Sequence, residues 1–392
     1  MLPDFFEFWH PTRIVYGPGL AKDFSAEISD LKIKRPFVVT DEILYKKVGL
    51  VQPVLDGITS GGLEIAGVFD QVPPNSEIKI VKQICDQARD ARADSILAIG
   101  GGSVIDSAKA ANILFTNGGD LLNDYSGAQT LTEPLRPLIV IPTTAGTGSE
   151  VTMVAVILDE ETHTKNSFVD KHMLPNLAVL DPEMTLSLPA QLTAATGMDA
   201  LTHAMEAFWG LQKNPASDAF ASQAVRMLME FLPIAVSQGD NLEARSKVLV
   251  AATFAGAAFS HSMVGVVHSM AHATGGLYGV PHGVANAILL PYGMEYNLEE
   301  VPKQMSDLAQ VMRLDTHGLD EISAARKAID AVRELQDKLA ASSGLPIKLS
   351  QAGVPEDGLE KIAAAAVMDG TTFYNPREVE EEAVLETLKA AY

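Results

Sequence analysis

The stretch "ADSILAIGGGSVIDSAKAANILF", residues 93–115, joins a short apolar run, three consecutive glycines and a segment with helical periodicity. The run from Ser95 to Ile99 is almost wholly apolar, as is typical of a strand covered on both faces. Glycines let the backbone approach a ligand closely, and the free N–H groups at the start of a helix favour an anion. The stretch therefore predicts a strand–turn–helix unit of an α/β domain, with room for a pyrophosphate at the turn.

The three glycines alone are a weak signal, because the turn is not a GxGxxG fingerprint. We place the start of the helix at Ser103. Ser103 and Asp106 also have the spacing of a capping box, with Asp in the usual Glu or Gln place, so their role could be only to close the helix end.

A second loop supports a nucleotide site. The stretch "PLIVIPTTAGTGSEVT", residues 137–152, predicts a strand followed by a loop that offers Thr143, Thr144 and Thr147 to a ribose or phosphate. In open α/β sheets, ligands bind at the carboxyl ends of the strands. Asp41 ends a further predicted strand, "PFVVTD", where its carboxylate would accept from ribose hydroxyls and repel a 2′-phosphate, which favours NAD over NADP. An ordinary capped turn remains the alternative at both places.

The wider pattern divides the chain into two domains. Apolar runs alternate with amphipathic stretches through the first half, which predicts a parallel sheet with crossover helices. These runs are "PFVVT", "LEIAGVF", "SILAIG", "PLIVIP", "VTMVAVIL" and "LAVLD". From Pro182 onward such runs are absent and helix-length segments follow, so residues 182–392 predict an all-α domain. We therefore expect an α/β domain over residues 1–181 and a helical domain over residues 182–392.

Composition excludes several classes of protein. The chain has 392 residues, of which 47% are hydrophobic and 20% charged, as in an ordinary globular protein. Its formal charge of -21 disfavours nucleic acid and anionic membrane surfaces as partners. The single cysteine, Cys85, excludes an internal disulfide, and its place in a periodic run predicts a buried helical residue. The N-terminus does not have the pattern of a signal peptide, and we expect a cytoplasmic protein.

One charge-free span, from Val248 to Met294, is long enough to cross a bilayer. Its glycines, histidines and two prolines interrupt it, so we expect the centre of a large helical domain and no membrane span. Five of the nine histidines lie between His203 and His282, and four of them are inside this charge-free span.

The spacing of these histidines suggests a metal site. Asp199 and His203 lie four residues apart, as do His268 and His272, so each pair shares one helix face. The first pair makes half of a site for a divalent cation, and a second His-bearing helix with His282 would complete four ligands. Each histidine taken singly could instead be a hydrogen-bonded core residue. We assign structural roles to His10, His163, His172 and His317, and a supporting role to His261.

An ordered series of motifs resembles the iron-dependent (group III, iron-activated) alcohol dehydrogenases along almost the whole chain. The motifs are "VVTDEIL", "VPPNSEI", "AIGGGSVIDSAK", "IPTTAGTGSEVT", "VLDPEMTLSLPAQLTAATGMDALTHAMEA", "GVVHSMAHATGGLYGVPHGVANAILLP" and "NPRE". The resemblance implies a Rossmann-like dinucleotide-binding domain, an all-α metal-binding domain of the architecture shared with dehydroquinate synthase, and a metal and nicotinamide that meet in a cleft.

The resemblance also implies site residues by position. Metal ligands would be Asp199, His203, His268 and His282, with His272 beside the metal but not bound to it. NAD contacts would come from Asp41, Asn75, Gly101, Gly102, Ser103, Thr143, Thr144 and Lys165. The substrate pocket would be lined by Val154, Phe259, Val264 and Thr371. All four ligand positions are filled, which argues against the metal-free chemistry of maleylacetate reductases.

These residues lead to a functional hypothesis. We expect reversible hydride transfer between NAD(H) and a primary alcohol or aldehyde, with Fe²⁺ (or Zn²⁺ or another divalent metal) at the substrate oxygen. His272 would pass the released proton to solvent. An apolar Val154 favours simple alcohols over polyols. The alternatives are a dehydroquinate-synthase-like lyase, and a nucleotide- and metal-binding module without catalysis. The resemblance suggests at least a homodimer, with the edge segment "TRIVYG" at the contact.

Overall fold

The computed structural model describes residues 3–161 and 164–392, so His163 lies outside the described residues. Contacts divide the chain into two compact units. One is Trp9–Leu188, and the other is Pro189–Tyr392 together with the N-terminal segment that ends at Phe8. Each unit is described by itself below.

The unit of residues 9–188 contains all nine strands found in the described residues. They are β1 (Arg13–Tyr16), β2 (Pro36–Val39), β3 (Gly67–Phe69), β4 (Ser95–Gly100), β5 (Gly127–Ala128), β6 (Leu138–Pro142), β7 (Val154–Asp159), β8 (Thr164–Val169) and β9 (Leu177–Leu180). Its α-helices are α1 (Val51–Ser60), α2 (Ile78–Asp90), α3 (Gly102–Asn117) and α4 (Leu121–Tyr125). Six strands form one sheet in the order β1-β9-β6-β4-β2-β3, and every pair in it is parallel.

The predicted parallel sheet with covered faces is confirmed. Every residue of β2, β4, β6 and β9 is buried, which explains why their sequences are apolar without alternation. The run "VTMVAVIL" is an exception, because β7 lies outside this sheet and pairs antiparallel with β8 in a smaller sheet of order β5-β8-β7. Its residues alternate between buried and half-buried, as one-sided strands do. Cys85 is buried on α2, as its periodic context predicts.

The strand order places the predicted loops at one point of the sheet. The chain runs from β2 outward to β3, then returns to the other side of β2 with β4, so the topology reverses between β2 and β4. Such reversals open a crevice at the carboxyl ends of the two strands, where ligands bind in α/β sheets. Register pairs Gly100 of β4 with Pro142 of β6, so the loops that follow both strands leave from the same edge.

The division between the units falls at 188/189 and not at the predicted 181/182. The reason is Asp181, whose fully buried carboxylate accepts hydrogen bonds from the backbone N–H groups of Gly19 (2.9 Å), Ala21 (2.9 Å) and Glu183 (3.0 Å). A buried carboxylate of this kind holds the turn Pro182–Thr185 against the α/β unit. The chain therefore leaves that unit only after Leu188.

The N-terminal segment also departs from the predicted boundary. Residues 3–8 belong to the helical unit, because the ring of Phe8 stacks on Phe220 (centroids 5.6 Å apart) and on His261 (4.1 Å). Aromatic stacking of this kind adds to the burial of apolar surface.

The second unit has only helices among its described residues, as predicted for the C-terminal half. They are α5 (Ala190–Trp209), α6 (Pro215–Ser237), α7 (Leu242–Ser262), α8 (Val266–Tyr278), α9 (His282–Asn297), α10 (Pro302–Val311), α11 (Glu321–Ser343), α12 (Leu359–Ala366) and α13 (Glu381–Ala390). Helix α5 lies at the centre and packs against α6, α7 and α9. Gly197 permits the close approach of α6, since a Cβ there would lie 2.2 Å from Leu232 Cδ1.

The charge-free span is divided among α7, α8 and α9, with a bend of 103° between α7 and α8. In the described part of the chain, α6 is long and apolar enough to cross a bilayer, and α7 with α8 would make a second span if the bent pair counted as one. Core helices of large domains pass the same test of length and composition. The finding therefore assigns no membrane span.

Candidate metal and nucleotide sites

Helix α5 carries two of the predicted metal ligands on one face. Asp199 and His203 are 2% and 4% exposed, and His203 Nδ1 lies 4.0 Å from Asp199 Oδ2. The spacing of four residues places both side chains on the same side of the helix. A carboxylate buried to this degree requires compensation by hydrogen bonds or positive charge.

Helices α8 and α9 bring two more histidines to this carboxylate. His268 is in the first turn of α8, and His282 is the first residue of α9. Gly283 allows the start of α9 to lie against α5, because a Cβ there would be 2.6 Å from the carbonyl oxygen of Ala195. His282 Nε2 is 3.4 Å from Asp199 Oδ1. One ligand atom from each of Asp199, His203, His268 and His282 lies within 4.8 Å of the others.

The contacts of Asn286 show whether this group of atoms is suited to a cation. Its Nδ2 donates to Asp199 Oδ1 at 2.6 Å and lies 3.3 Å from His268 Nε2 and 3.1 Å from His282 Nε2. A group with partial positive charge is thus surrounded by acceptor atoms from three helices. Asn286 Oδ1 is buried with no hydrogen-bond partner in the described residues. One carboxylate and three imidazoles suit several divalent metals, so the residues fit the ion that the sequence implies.

Glu206 extends this arrangement and was not identified from the sequence. It is fully buried on α5, and its Oε2 lies 2.6 Å from His268 Nδ1. Burial raises the pKa of Glu206 to about 7, although backbone N–H groups of Gly265, Val267 and His268 oppose the shift. Burial lowers the pKa of His268 well below its usual value, with further lowering from His203 and His272, so this imidazole is neutral.

His272 has a second acidic partner that the sequence did not reveal. Its Nδ1 lies 2.9 Å from Asp369 Oδ2, and its ring stacks on His282 with centroids 5.3 Å apart. Burial acts to raise the pKa of Asp369, but the hydrogen bond and charge of His272 and the donors of Thr371 outweigh it and lower the pKa to about 2. Thr371 donates to Asp369 Oδ1 from both N (2.9 Å) and Oγ1 (2.8 Å). The predicted pocket residue Thr371 is therefore joined to His272 through Asp369.

The other predicted residues of the helical unit lie around the same group. The ring of Phe259 stacks on His203 at 4.2 Å, and Val264 is buried in the turn between α7 and α8. His261 Nδ1 donates to the carbonyl of Ala257 (2.9 Å), and its ring stacks on Phe8. The supporting role expected for His261 stays a prediction.

At the nucleotide edge, the helix after the glycines begins one residue earlier than predicted, at Gly102, with Gly101 as its cap. Ser103 does not cap it. Its Oγ donates to the carbonyl of Pro74, and its own carbonyl accepts from Ser76 Oγ at 2.8 Å. These two bonds bracket Asn75, which is exposed beside the glycine turn. The residues expected after β3 and β4 are thus brought together.

The threonine loop packs directly on the glycine turn. The N–H of Thr143 donates to the carbonyl of Gly100 at 3.0 Å. A Cβ at Gly101 would lie 3.0 Å from Thr144 Cγ2, and one at Gly102 would lie 2.6 Å from Thr147 Cγ2. A side chain at either glycine would therefore have to displace a threonine of the other loop.

The capping role considered for Asp106 is wrong. Its carboxylate accepts from Ser149 Oγ at 2.6 Å and from the N–H of Val156 at 3.0 Å, so it ties α3 to the threonine loop and to β7. Burial raises its pKa, opposed by Lys109, Ser149 and Val156.

Lys109 lies beneath the same loop and is fully buried. Its Nζ donates to the carbonyls of Thr152 (2.7 Å) and Val154 (2.9 Å) and to Thr152 Oγ1 (3.0 Å). Burial lowers its pKa to about 8 even though the charges of Asp106 and Glu150 act to raise it. The amine fixes the backbone on which the predicted pocket residue Val154 lies.

Two predicted cofactor residues lie further along the sheets. Asp41 follows β2 at the point where the topology reverses, and its Oδ1 accepts from the N–H of Leu44 at 2.9 Å. Lys165 is exposed on β8, where it pairs with Leu158 of β7, and its charge acts on the half-buried Asp106. Outside both sites, His172 pairs with Asp170 at 3.0 Å.

Known proteins resemble this chain along its whole length. Residues 11–182 match a family model described as iron-containing alcohol dehydrogenase, and residues 193–392 match one described as the C-terminal part of the Fe-containing alcohol dehydrogenase family. The chain is 40% identical over 388 residues to 1,3-propanediol dehydrogenase of Citrobacter freundii, with 99% of each chain covered. It is 35% identical to NAD-dependent methanol dehydrogenase of Bacillus methanolicus, covering 98% of this chain and 99% of the relative. A solved alcohol dehydrogenase from Oenococcus oeni superposes with a TM-score of 0.94 at 38% identity, covering 99% of this chain and 100% of that one.

We predict that Lys109→Met lowers the free energy of unfolding by about 3–5 kcal/mol at pH 7, because it leaves buried carbonyls and carboxylates without their cation. The folded pKa of about 8 is below the unfolded value of 10.5, so the unfolded chain binds more protons between these pH values. Wild-type stability should therefore rise relative to the variant across that window. Thermal unfolding of both proteins at pH 7.5 and 9.5 measures this difference in Tm.

A matched control is Lys46→Met, which removes an exposed lysine whose pKa is raised by its hydrogen bond with Asp70. The Tm difference between wild type and this variant should not widen with pH. A constant difference between wild type and Lys109→Met would contradict the assignment of a buried, pKa-shifted amine.

Proposed function

This chain belongs to the iron-containing alcohol dehydrogenase family, and we propose that it uses Asp199, His203, His268 and His282 to hold its catalytic metal, with Fe²⁺ as the native ion. Relatives aligned over nearly the full length are NAD-dependent alcohol dehydrogenases, so the enzyme is an oxidoreductase that interconverts alcohols and aldehydes with NAD(H). Family membership implies NAD(H) and a divalent metal. The dehydroquinate-synthase-like lyase and the non-catalytic binding module are not favoured.

The observation that carries the metal proposal is the convergence of ligand atoms from three helices on one buried carboxylate. When bound, a divalent cation there supplies electrostatic stabilisation of a substrate oxygen, and the nicotinamide supplies hydride chemistry. The chain itself contributes three imidazoles and the Asp199 carboxylate, held in place by helix packing. Asp199, His203 and His268 are buried, and charges interact more strongly where water is excluded.

For the cofactor, we propose that the glycine turn and the threonine loop bind the dinucleotide. The glycine turn follows β4 at the reversal of strand order, and the threonine loop after β6 packs closely on it, which supports this assignment. The contacts would come from Asn75, Gly101, Gly102, Ser103, Thr143, Thr144, Thr147 and Lys165. Exposed N–H groups at the start of α3 favour the pyrophosphate, and Asp41 favours NAD because its charge would repel a 2′-phosphate.

His272 is the proposed proton carrier. It is half-buried, it stacks on His282, and its hydrogen bond to Asp369 orients the ring. An imidazole suits this role because it gains and loses a proton near neutral pH. The Asp369 carboxylate would stabilise the protonated ring while the proton is in transit.

The proposed substrates are short primary alcohols and their aldehydes. Relatives named for 1,3-propanediol and for methanol support this size class, and they place a diol within the range to be tested. Proposed pocket residues are Val154, Phe259, Val264 and Thr371, of which three are apolar. We further propose a cytoplasmic enzyme, in keeping with the single, buried cysteine.

We predict that the protein, purified without oxygen and supplied with Fe²⁺, reduces NAD in the presence of methanol, butanol or 1,3-propanediol and oxidises NADH with the matching aldehydes. Removing the metal with a chelator should abolish turnover, and Fe²⁺ should restore it. NAD should be preferred over NADP by kcat/KM. No change in NADH absorbance with any of the alcohols or aldehydes would reject the assigned substrates, and a preference for NADP would reject the role of Asp41.

A second prediction concerns metal content. His268→Ala should lose the bound metal and turnover together, because it removes one of four ligands. His272→Ala should keep the metal and lose turnover, because it removes the proposed proton carrier but none of the four proposed ligands. Elemental analysis of both purified variants beside wild type tests this pair. Equal metal in wild type and His268→Ala would remove His268 from the ligand set.

We also propose a homodimer that forms through β1. This strand ends the described six-stranded sheet, and Ile14 and Tyr16 on it are 37% and 49% exposed. The N–H groups of Arg13 and Gly17 bond toward β9, so those of Ile14 and Tyr16 face outward and could pair with a second copy.

We predict that Ile14→Lys shifts the protein from dimer to monomer in size-exclusion chromatography with light scattering, since a charge on an edge strand opposes pairing. Ile322→Lys is a matched control, because Ile322 on α11 is also 37% exposed. It should leave the dimer intact. A dimer of unchanged stability in Ile14→Lys would place the contact elsewhere.

A further inference from the structure

We propose that Glu206 is a positioning residue for the metal site, which fixes His268 with its proton on Nδ1 and so directs the bare Nε2 toward the other proposed ligands. The inference rests on the proposed function, because it takes His268 to be a ligand. It adds a residue that is not one of the proposed ligands and that acts through His268 and the backbone that carries it.

The two carboxylate oxygens of Glu206 serve two different donors. Oε2 lies 2.6 Å from His268 Nδ1, and Oε1 accepts from the N–H of Val267 at 2.8 Å. Glu206 is fully buried, so neither contact competes with water. A neutral imidazole carries its proton on one ring nitrogen only, and the Glu206 oxygen 2.6 Å from Nδ1 is placed to accept it there. The lone pair of Nε2 is then free for a metal.

The same carboxylate also holds the backbone that carries His268. Gly265 caps α8 without a side chain, so the first N–H groups of the helix depend on partners from elsewhere. Glu206 takes that of Val267, and Asn375 Oδ1 takes that of Val266 at 3.2 Å. A carboxylate at a helix N-terminus is favoured by the helix dipole.

The motif "NPRE" completes this support. Asn375 forms a reciprocal amide pair with Asn297 at the end of α9, with distances of 3.0 and 2.8 Å. Gly265 leaves the space for these groups, since a Cβ there would lie 2.7 Å from Asn375 Oδ1 and 3.3 Å from Glu206 Oε1. The N-terminus of α8 is thus fixed to α5 on one side and to α9 through residue 375 on the other.

Glu206 and two of the proposed ligands lie on the same helix, α5, so their positions relative to one another are fixed. It follows Asp199 by seven residues and His203 by three, so all three side chains lie on one face over two helical turns. One helix therefore presents two proposed ligands and the group that orients a third. Second-sphere partners of metal-binding histidines typically change metal affinity by 10–100-fold when they are removed.

The test is Glu206→Gln, which keeps the size of the side chain but turns one acceptor into a donor. If the amide oxygen accepts from Val267, the amide nitrogen faces His268 Nδ1, and the imidazole proton must move to Nε2, where it blocks the metal. We expect Zn²⁺, used as the probe metal and measured by competition with a chromophoric chelator, to bind 10–100-fold more weakly than to wild type.

Two comparison variants separate positioning from general damage. Thr202→Val removes a buried hydrogen bond on the same helix, from Thr202 Oγ1 to the carbonyl of Met198 (2.9 Å), and should bind Zn²⁺ as wild type does. His268→Ala keeps three of the four proposed ligands, so its weaker residual Zn²⁺ affinity can be measured by titration, and adding Glu206→Gln should lower that affinity no further. Unchanged affinity in folded Glu206→Gln, an equal loss in Thr202→Val, or an undiminished effect without His268 would overturn the inference.

A measurement on the wild type keeps the inference testable if Glu206→Gln does not fold. Long-range ¹H–¹⁵N spectra of histidine-labelled protein report which ring nitrogen carries the proton, with His268→Ala used for assignment. We expect Nδ1 of His268 to be protonated, and a proton on Nε2 would overturn the proposal. Failure of the wild type to bind Zn²⁺ at all would instead reject the proposed metal site on which the inference rests.

Discussion

The carboxylate of Asp199 is buried at a place where α5, α8 and α9 meet, and the arrangement of these helices depends on giving that charge its partners. The segment from Val248 to Met294 contains no fixed charge, so compensation comes from imidazoles and from the amide of Asn286. Close packing makes this possible, because Gly197 and Gly283 let neighbouring helices approach α5 to distances that a methyl group would prevent. The helices can therefore pack closely around Asp199 only because polar side chains on those helices compensate its buried charge.

Much of the fold could be predicted from the sequence because its signals are local. The apolar runs of β2, β4, β6 and β9 indicated strands buried on both faces. The helical periodicity after Pro182 indicated an all-α unit. The errors arose where a distant contact decides the outcome. Asp181 holds the following turn in the α/β unit through N–H groups some 160 residues away, Phe8 stacks on α6, and β7 pairs with β8 in a separate sheet. No local pattern carries this information.

In the candidate sites too, local spacing was visible in the sequence and distant contacts were not. The spacing of four residues identified Asp199 with His203, and the structure brings these side chains together with His268 and His282. Glu206 and Asp369 were missed because each is defined by a histidine on another element, 62 and 97 residues away. Only the spacing of seven between Asp199 and Glu206 was visible in the sequence. Lys109 was missed because a lysine in a helical pattern normally implies a solvent-exposed face.

Helix α5 has a consequence for the lifetime of a bound ion. Its two proposed ligands cannot separate from each other without unwinding the helix, since both side chains leave one rigid segment over a single turn. Release of the metal therefore has to begin at the ligands on α8 and α9, and His282, whose side chain is 30% exposed, is the one that water can reach. We expect a chelator to remove the ion from that side, with Asp199 and His203 as the last contacts to be lost.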